Sequence, residues 1–180
     1  MKNVLKYSGI ISFVAAAVAF ILLMVTRGIV DPSAPAESWF SSGAVLFGRG
    51  PARATVYILF VGNVTINNND WVGQASGAAL TAWIFTLVSL LGLSFGLVLP
   101  LLKKKVSDRI AGIVNLCSVL LLITAGILVF FTVPSFCGSN GFRTDGWSLS
   151  FGYVLSAILL IVGGAFAVLP TVMDFVGNRK

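Results

Sequence analysis

Residues 54–71 read "ATVYILFVGNVTINNNDW", and the fold turns on this stretch. Its first half is apolar enough for a membrane span; its second half has three consecutive Asn and an Asp. The apolar part, "ATVYILFVGNVTI", is only 13 residues long and includes Gly62 and Asn63. A helical crossing needs about 20 residues, so the segment is too short to span. It is instead rich in β-branched and aromatic side chains (Thr55, Val56, Tyr57, Ile58, Phe60, Val61, Val64, Thr65, Ile66), a strand composition. Asn67 to Asp70 then read as turn punctuation.

The rest of the chain sets this stretch beside a membrane. Of 180 residues, 57% are hydrophobic and 10% charged, and the mean hydropathy is +0.99. Soluble domains carry about 25% charged residues, which this composition falls far below. Four runs are long enough to cross, at about 7–26, 76–102, 110–133 and 149–176. None has a charge in its central portion. The first run follows Lys2 and Lys6 as a signal peptide would, but it exceeds an h-region of about 7–15 residues, so it reads as a retained helix.

Positive charge orients the spans. Lys2, Lys6, Lys103, Lys104, Lys105, Arg109, Arg179 and Lys180 fall on one side; Arg27, Arg49, Arg53 and Arg143 fall on the other. The positive-inside rule therefore puts both termini in the cytoplasm, in what is expected to be the plasma membrane. A further crossing within 54–66 would reverse Lys103–Lys105, a second reason to read that stretch as folded outside the bilayer. Residues 103–109 become a tight cytoplasmic loop. Lys103, Lys104 and Lys105 serve there as a topology signal and as a candidate contact for anionic lipid headgroups.

The expected architecture is an α-helical integral membrane protein: a four-transmembrane-helix bundle with a small extracytoplasmic β-hairpin subdomain. The first external loop is 27–75. It holds the hairpin, with a strand at 43–48, a turn at "RGPAR" and a second strand from residue 54 onward. The competing reading is an interfacial helix over "ESWFSSGAVLF". Val56 to Val61 does not alternate, so both faces of that strand need cover. The second external loop, 134–148, has turn chemistry, with Pro134 ending the third helix. Trp39, Trp71 and Trp147 fall in the external loops near the outer interface, as in an aromatic belt.

Small residues recur through the spans: Gly9, Ser12, Ala15, Ala16 and Ala19 in the first, Gly73/Gly77 and Gly92/Gly96 in the second, and Gly152, Ser156, Gly163, Gly164 and Ala167 in the fourth. Such spacing lets helix backbones approach closely, within this bundle or against a partner subunit. Asn115, strongly polar within a span, fits an interhelical hydrogen bond better than a transport site.

The order of elements resembles the claudin-like tetraspan proteins: four spans, termini inside, a long first loop with strand character, a tight inner loop and a short second outer loop. In that superfamily the first loop forms a small β-sheet on the bundle. Trp39 stands where its first loop Trp stands; the Gly-Leu-Trp and the loop Cys pair have no counterpart here. The resemblance is one of layout and assigns no functional residue.

Chemistry is sparse. There is no His, the commonest general base and metal ligand. The six carboxylates are scattered, and no phosphate-binding or dinucleotide loop is present. Cys117 and Cys137 lie about 30 Å apart along a helix at ~1.5 Å per residue, too far for a disulfide. Cys117 reads as a buried apolar residue, and Cys137 as an external thiol that is buried, lipid-modified or bonded to another chain. Asn63-Val64-Thr65 is a glycosylation sequon if the host has the machinery.

No catalytic, cofactor-binding or metal residue is therefore assigned, and neither an enzyme nor a nucleic-acid binder is expected. The expected role is that of a non-catalytic accessory, scaffold or adhesion subunit. It acts through the first external loop on other membrane protein subunits or on a second copy, surrounded by membrane lipids. Arg49, Arg53, Tyr57, Leu59 and Phe60 are the candidate partner-binding residues. The alternative is a component of a small channel or transporter that works as an oligomer.

Overall fold

The structure is a computed structural model that describes residues 2–26, 28–30, 55–56, 63–66, 69–72, 76–98 and 108–177. Its helices are α1 (Lys2–Val25), α2 (Gly77–Val98), α3 (Asp108–Phe130), α4 (Thr132–Asn140) and α5 (Phe151–Gly177). Its strands are β1 (Ile29–Val30), β2 (Thr55–Val56), β3 (Asn63–Ile66), β4 (Asn69–Val72) and β5 (Ser148–Leu149). Among the described residues α1, α2, α3 and α5 are long and apolar enough to cross a membrane, over Tyr7–Val25, Gly77–Phe95, Ile110–Phe130 and Phe151–Val168. The protein is mostly helical and carries the signature of an integral membrane bundle.

Small residues dictate how the bundle closes. On α1, Ser8, Ser12, Ala16, Ala19 and Leu23 are buried, spaced three or four apart and hence on one face. That face meets α5. A Cβ added at Gly163 would lie 3.2 Å from the Ala15 Cβ and 3.4 Å from the Ser12 carbonyl. The next residue, Gly164, is turned about 100° around the helix. It faces α3 instead, where a Cβ would lie 2.7 Å from Ile123 Cγ1. Adjacent glycines thus let α5 approach both neighbours. Gly126 does the same from the α3 side, against Ile161 and the Ala157 carbonyl. On α2, Gly92 abuts Ser118 of α3. The helix order around the bundle is α1, α5, α3, α2, each antiparallel to the next. A looser α1–α2 contact closes the ring, with Phe20 stacked on Trp83 at a ring distance of 5.3 Å.

Five of the buried hydroxyls in the helices are held by their own helix. Thr86, Ser89, Ser118, Ser156 and Thr171 each donate to the carbonyl four residues back, at 2.7–2.9 Å. In a bilayer such a bond removes an otherwise unsatisfied donor. Asn115 is half-buried on α3. Cys117 is exposed on the outside of α3, not buried; a span apolar all round shows no inward face to sequence reading.

The end of α3 departs from expectation. Pro134 does stop α3, since a proline ring clashes with the carbonyl four residues earlier, and residue 130 is the last of α3. After Phe131, however, the chain resumes as α4, and Pro134 sits in that helix's first turn, where no amide bond is lost. The segment 134–148 is therefore helix as far as Asn140, then turns and irregular chain leading into β5. Gly141 ends α4 in the left-handed conformation, φ 71°, which glycine adopts without strain.

Two small sheets stand at this same end. In one, β1 is central, pairing antiparallel with β2 (Ile29 to Val56, Val30 to Thr55) and with β5 (Ile29 to Leu149, Val30 to Ser148). In the other, β3 pairs antiparallel with β4, from Asn63 opposite Val72 to Ile66 opposite Asn69. Asn69 and Asp70 are thus strand residues rather than turn residues. The expected strand at 43–48 and the interfacial-helix alternative lie outside the described residues.

Candidate functional site

Among the described residues, the end of the bundle where both long loops emerge is tied together by several side-chain hydrogen bonds. Ser76 precedes the apolar run of α2 and caps it: the Ala79 N–H donates to Ser76 Oγ at 3.3 Å and the Leu80 N–H to its carbonyl at 3.0 Å. Ser76 Oγ in turn donates to the Thr132 carbonyl of α4 at 3.1 Å, and the Ala78 N–H donates to Ser135 Oγ at 3.2 Å. The first turn of α2 and the first turn of α4 are therefore tied through two serines. Ser150 plays the same part for α5. The Tyr153 N–H lies 3.5 Å from Ser150 Oγ, and the Ser150 N–H donates to the Gly28 carbonyl beside β1 at 3.1 Å.

Above these caps lies an aromatic cluster. Phe136, Phe142 and Trp147 pack with ring centroids 5.7–6.2 Å apart, within the usual range of aromatic pairs. Trp147 is half-buried in this cluster, which gives it a protein partner rather than a place in a lipid-facing belt. Phe136 and Cys137 are fully buried, and burial pushes the Cys137 thiol above its ordinary pKa because the thiolate loses hydration. Both cysteines are free. Below the sheet, Tyr153 is buried and its hydroxyl donates to the Leu23 carbonyl at 3.3 Å, joining α5 to α1.

Of the sequence-derived site residues, Arg49, Arg53, Tyr57, Leu59 and Phe60 lie outside the described residues, as do Lys103, Lys104 and Lys105. The first external loop, which holds the first five of these, supplies β1 and β2, which the structure joins to β5 from the opposite half of the chain. What sequence reasoning passed over is the underside of this surface: Ser76, Ser135, Ser150, and the Phe136–Phe142–Trp147 cluster. Ser76 and Ser150 carry a legible signal, a serine directly before an apolar periodic run. Ser135 carries none, because its partner Ala78 is 57 residues away in the chain; the cluster's three rings are close in sequence, but no regular period marks them as packed together.

Among the described residues no group of three or more His, Cys, Asp or Glu converges on a point where a metal could sit. Ser12 Oγ, Trp83 Nε1 and Thr132 Oγ1 are shielded without a hydrogen-bond partner among the described residues. No protein-family model, no curated protein and no solved structure matches the chain.

Proposed function

We propose that the protein is a non-catalytic membrane subunit that recognises another membrane protein through its first external loop. One observation carries the reading: β1 of the first loop and β5 before α5 are hydrogen-bonded into one sheet, above helix ends tied by Ser76, Ser135 and Ser150. A surface anchored to three helices at once is pre-organised, and pre-organisation lowers the entropic cost of binding. The bundle interior supports the same reading. Its polar groups are mostly hydroxyls engaged with their own helices, which leaves little to bind or move a solute.

In this reading the sheet end lies outside the cell membrane and both termini lie inside, as the Lys and Arg distribution directs. The first external loop is read as a small β-subdomain, laid out as in claudin-like proteins. Tyr57, Leu59 and Phe60 are its anchors, because large apolar and aromatic side chains dominate interface energetics. Arg49 and Arg53 steer the encounter. Lys103, Lys104 and Lys105 meet anionic headgroups on the other side. The test is purification in mild detergent, paired with solute flux in liposomes holding this chain alone. A stoichiometric membrane-protein partner and silent liposomes are expected; flux from the chain alone would replace this function with that of a channel component.

A further inference from the structure

We infer that the α3–α4 junction is a lipid-contact site at the bilayer surface, with Phe131 seated at the boundary between hydrocarbon and headgroups. Three observations meet there. The apolar span of α3 runs over Ile110–Phe130, 21 residues, which at ~1.5 Å per residue is about 31 Å, the thickness of a bilayer core. Phe131 follows directly, 55% exposed, beside Phe130 at 46%. Residues 131–142, "FTVPSFCGSNGF", then contain no Lys, Arg, Asp or Glu, and the first charges beyond them, Arg143 and Asp145, are exposed.

The chain therefore leaves the hydrocarbon at Phe131, continues uncharged through α4, and reaches water at Arg143. Thr132, Val133, Phe136 and Cys137 turn the other face of α4 into the protein. A phenyl ring at that depth fits a lipid contact, since Phe on the apolar face of an interfacial helix is buried at the headgroup–acyl boundary. The occupant is the lipid itself, because the exposed surface continues without a break from the lipid-facing side of α3. Through the Ser76 and Ser135 bonds, this contact also bears on the first turn of α2.

Spin labelling in liposomes tests the inference. Phe131→Cys, Leu120→Cys and Arg143→Cys are made singly in a chain in which both native cysteines are replaced by alanine, each carrying a nitroxide. Collision with oxygen, which partitions into lipid, is compared with collision with a water-soluble nickel chelate. The oxygen-to-nickel ratio is expected to fall in the order Leu120, Phe131, Arg143, with Phe131 clearly separated from both. A Phe131 label as accessible to nickel as Arg143, or one shielded from both probes by a protein partner, would overturn the inference. A label as deep as Leu120 would overturn it as well. Equal helical circular dichroism across the three variants verifies that each is folded.

Discussion

Replacing Gly126 by alanine probes the α3–α5 seam at its tightest point. The new methyl would lie 2.7 Å from Ile161 Cγ1 and 3.0 Å from the Ala157 carbonyl oxygen, where ordinary contact begins at 3.4 Å. The shortfalls are 0.7 Å (3.4 − 2.7) and 0.4 Å (3.4 − 3.0). The isoleucine Cγ1 gives way only by turning χ1, which is stiff for a β-branched side chain in a helix. The carbonyl is backbone and cannot give way, so the two helices must part or tilt. Overpacking of this kind costs about 1–3 kcal/mol. Alanine also recovers up to ~1 kcal/mol of helix propensity over glycine, which masks part of the loss. Gly138→Ala on α4 is the matched control, because nothing lies within 4 Å of its new Cβ. The propensity gain largely cancels between the two variants, leaving a gap of about 1–3 kcal/mol. Unfolding in mixed detergent micelles, followed by helical circular dichroism, measures it. Equal stabilities for Gly126→Ala and Gly138→Ala would refute close backbone packing as the device that closes the bundle.

Three further outcomes follow from the α4 end. Ser76→Ala removes both the cap of α2 and its bond to Thr132, and should cost about 1–2 kcal/mol in the same unfolding assay, a typical capping loss. Tyr153→Phe keeps the packing and removes only the bond to the Leu23 carbonyl, so its cost should stay near ~0.6 kcal/mol, the average for interhelical bonds in membranes. Cys137 is neutral in both folded and unfolded chains below the ordinary thiol range near pH ~8.5. Above it the unfolded chain ionises while the folded chain, with its raised pKa, retains the proton. Its contribution is therefore present below that pH and lost as pH rises, so stability should fall from about pH 8.5 upward, and Cys137→Ala should flatten that fall when unfolding is measured across the range.

The four spans were legible because each signal accumulates over about 20 residues, and no local exception reverses it. The expected runs at 7–26, 110–133 and 149–176 overlap α1, α3 and α5 closely, and the run at 76–102 contains α2. The helix α4 was hidden because "TVPSFCGSN" is a poor helix former by composition. Burial of Phe136 and Cys137 and the ties to α2 hold it instead, and these are tertiary contacts. The sheet was hidden for the same reason. Ile29–Val30 is only two residues long, and its partners come from Thr55–Val56 and Ser148–Leu149, far away in the chain. The exposure of Cys117 was unreadable because apolar residues cover every side of α3.

The central claim, recognition through the first external loop, meets its most direct test in Tyr57→Ala and Phe60→Ala. Each variant is purified with its partner in mild detergent, and the thermal stability of the isolated chain is measured beside partner retention. The account predicts loss of the partner with stability unchanged. A fall of about 3 kcal/mol or more with the partner retained, the usual cost of truncating a buried aromatic, would contradict it and make this stretch part of the scaffold.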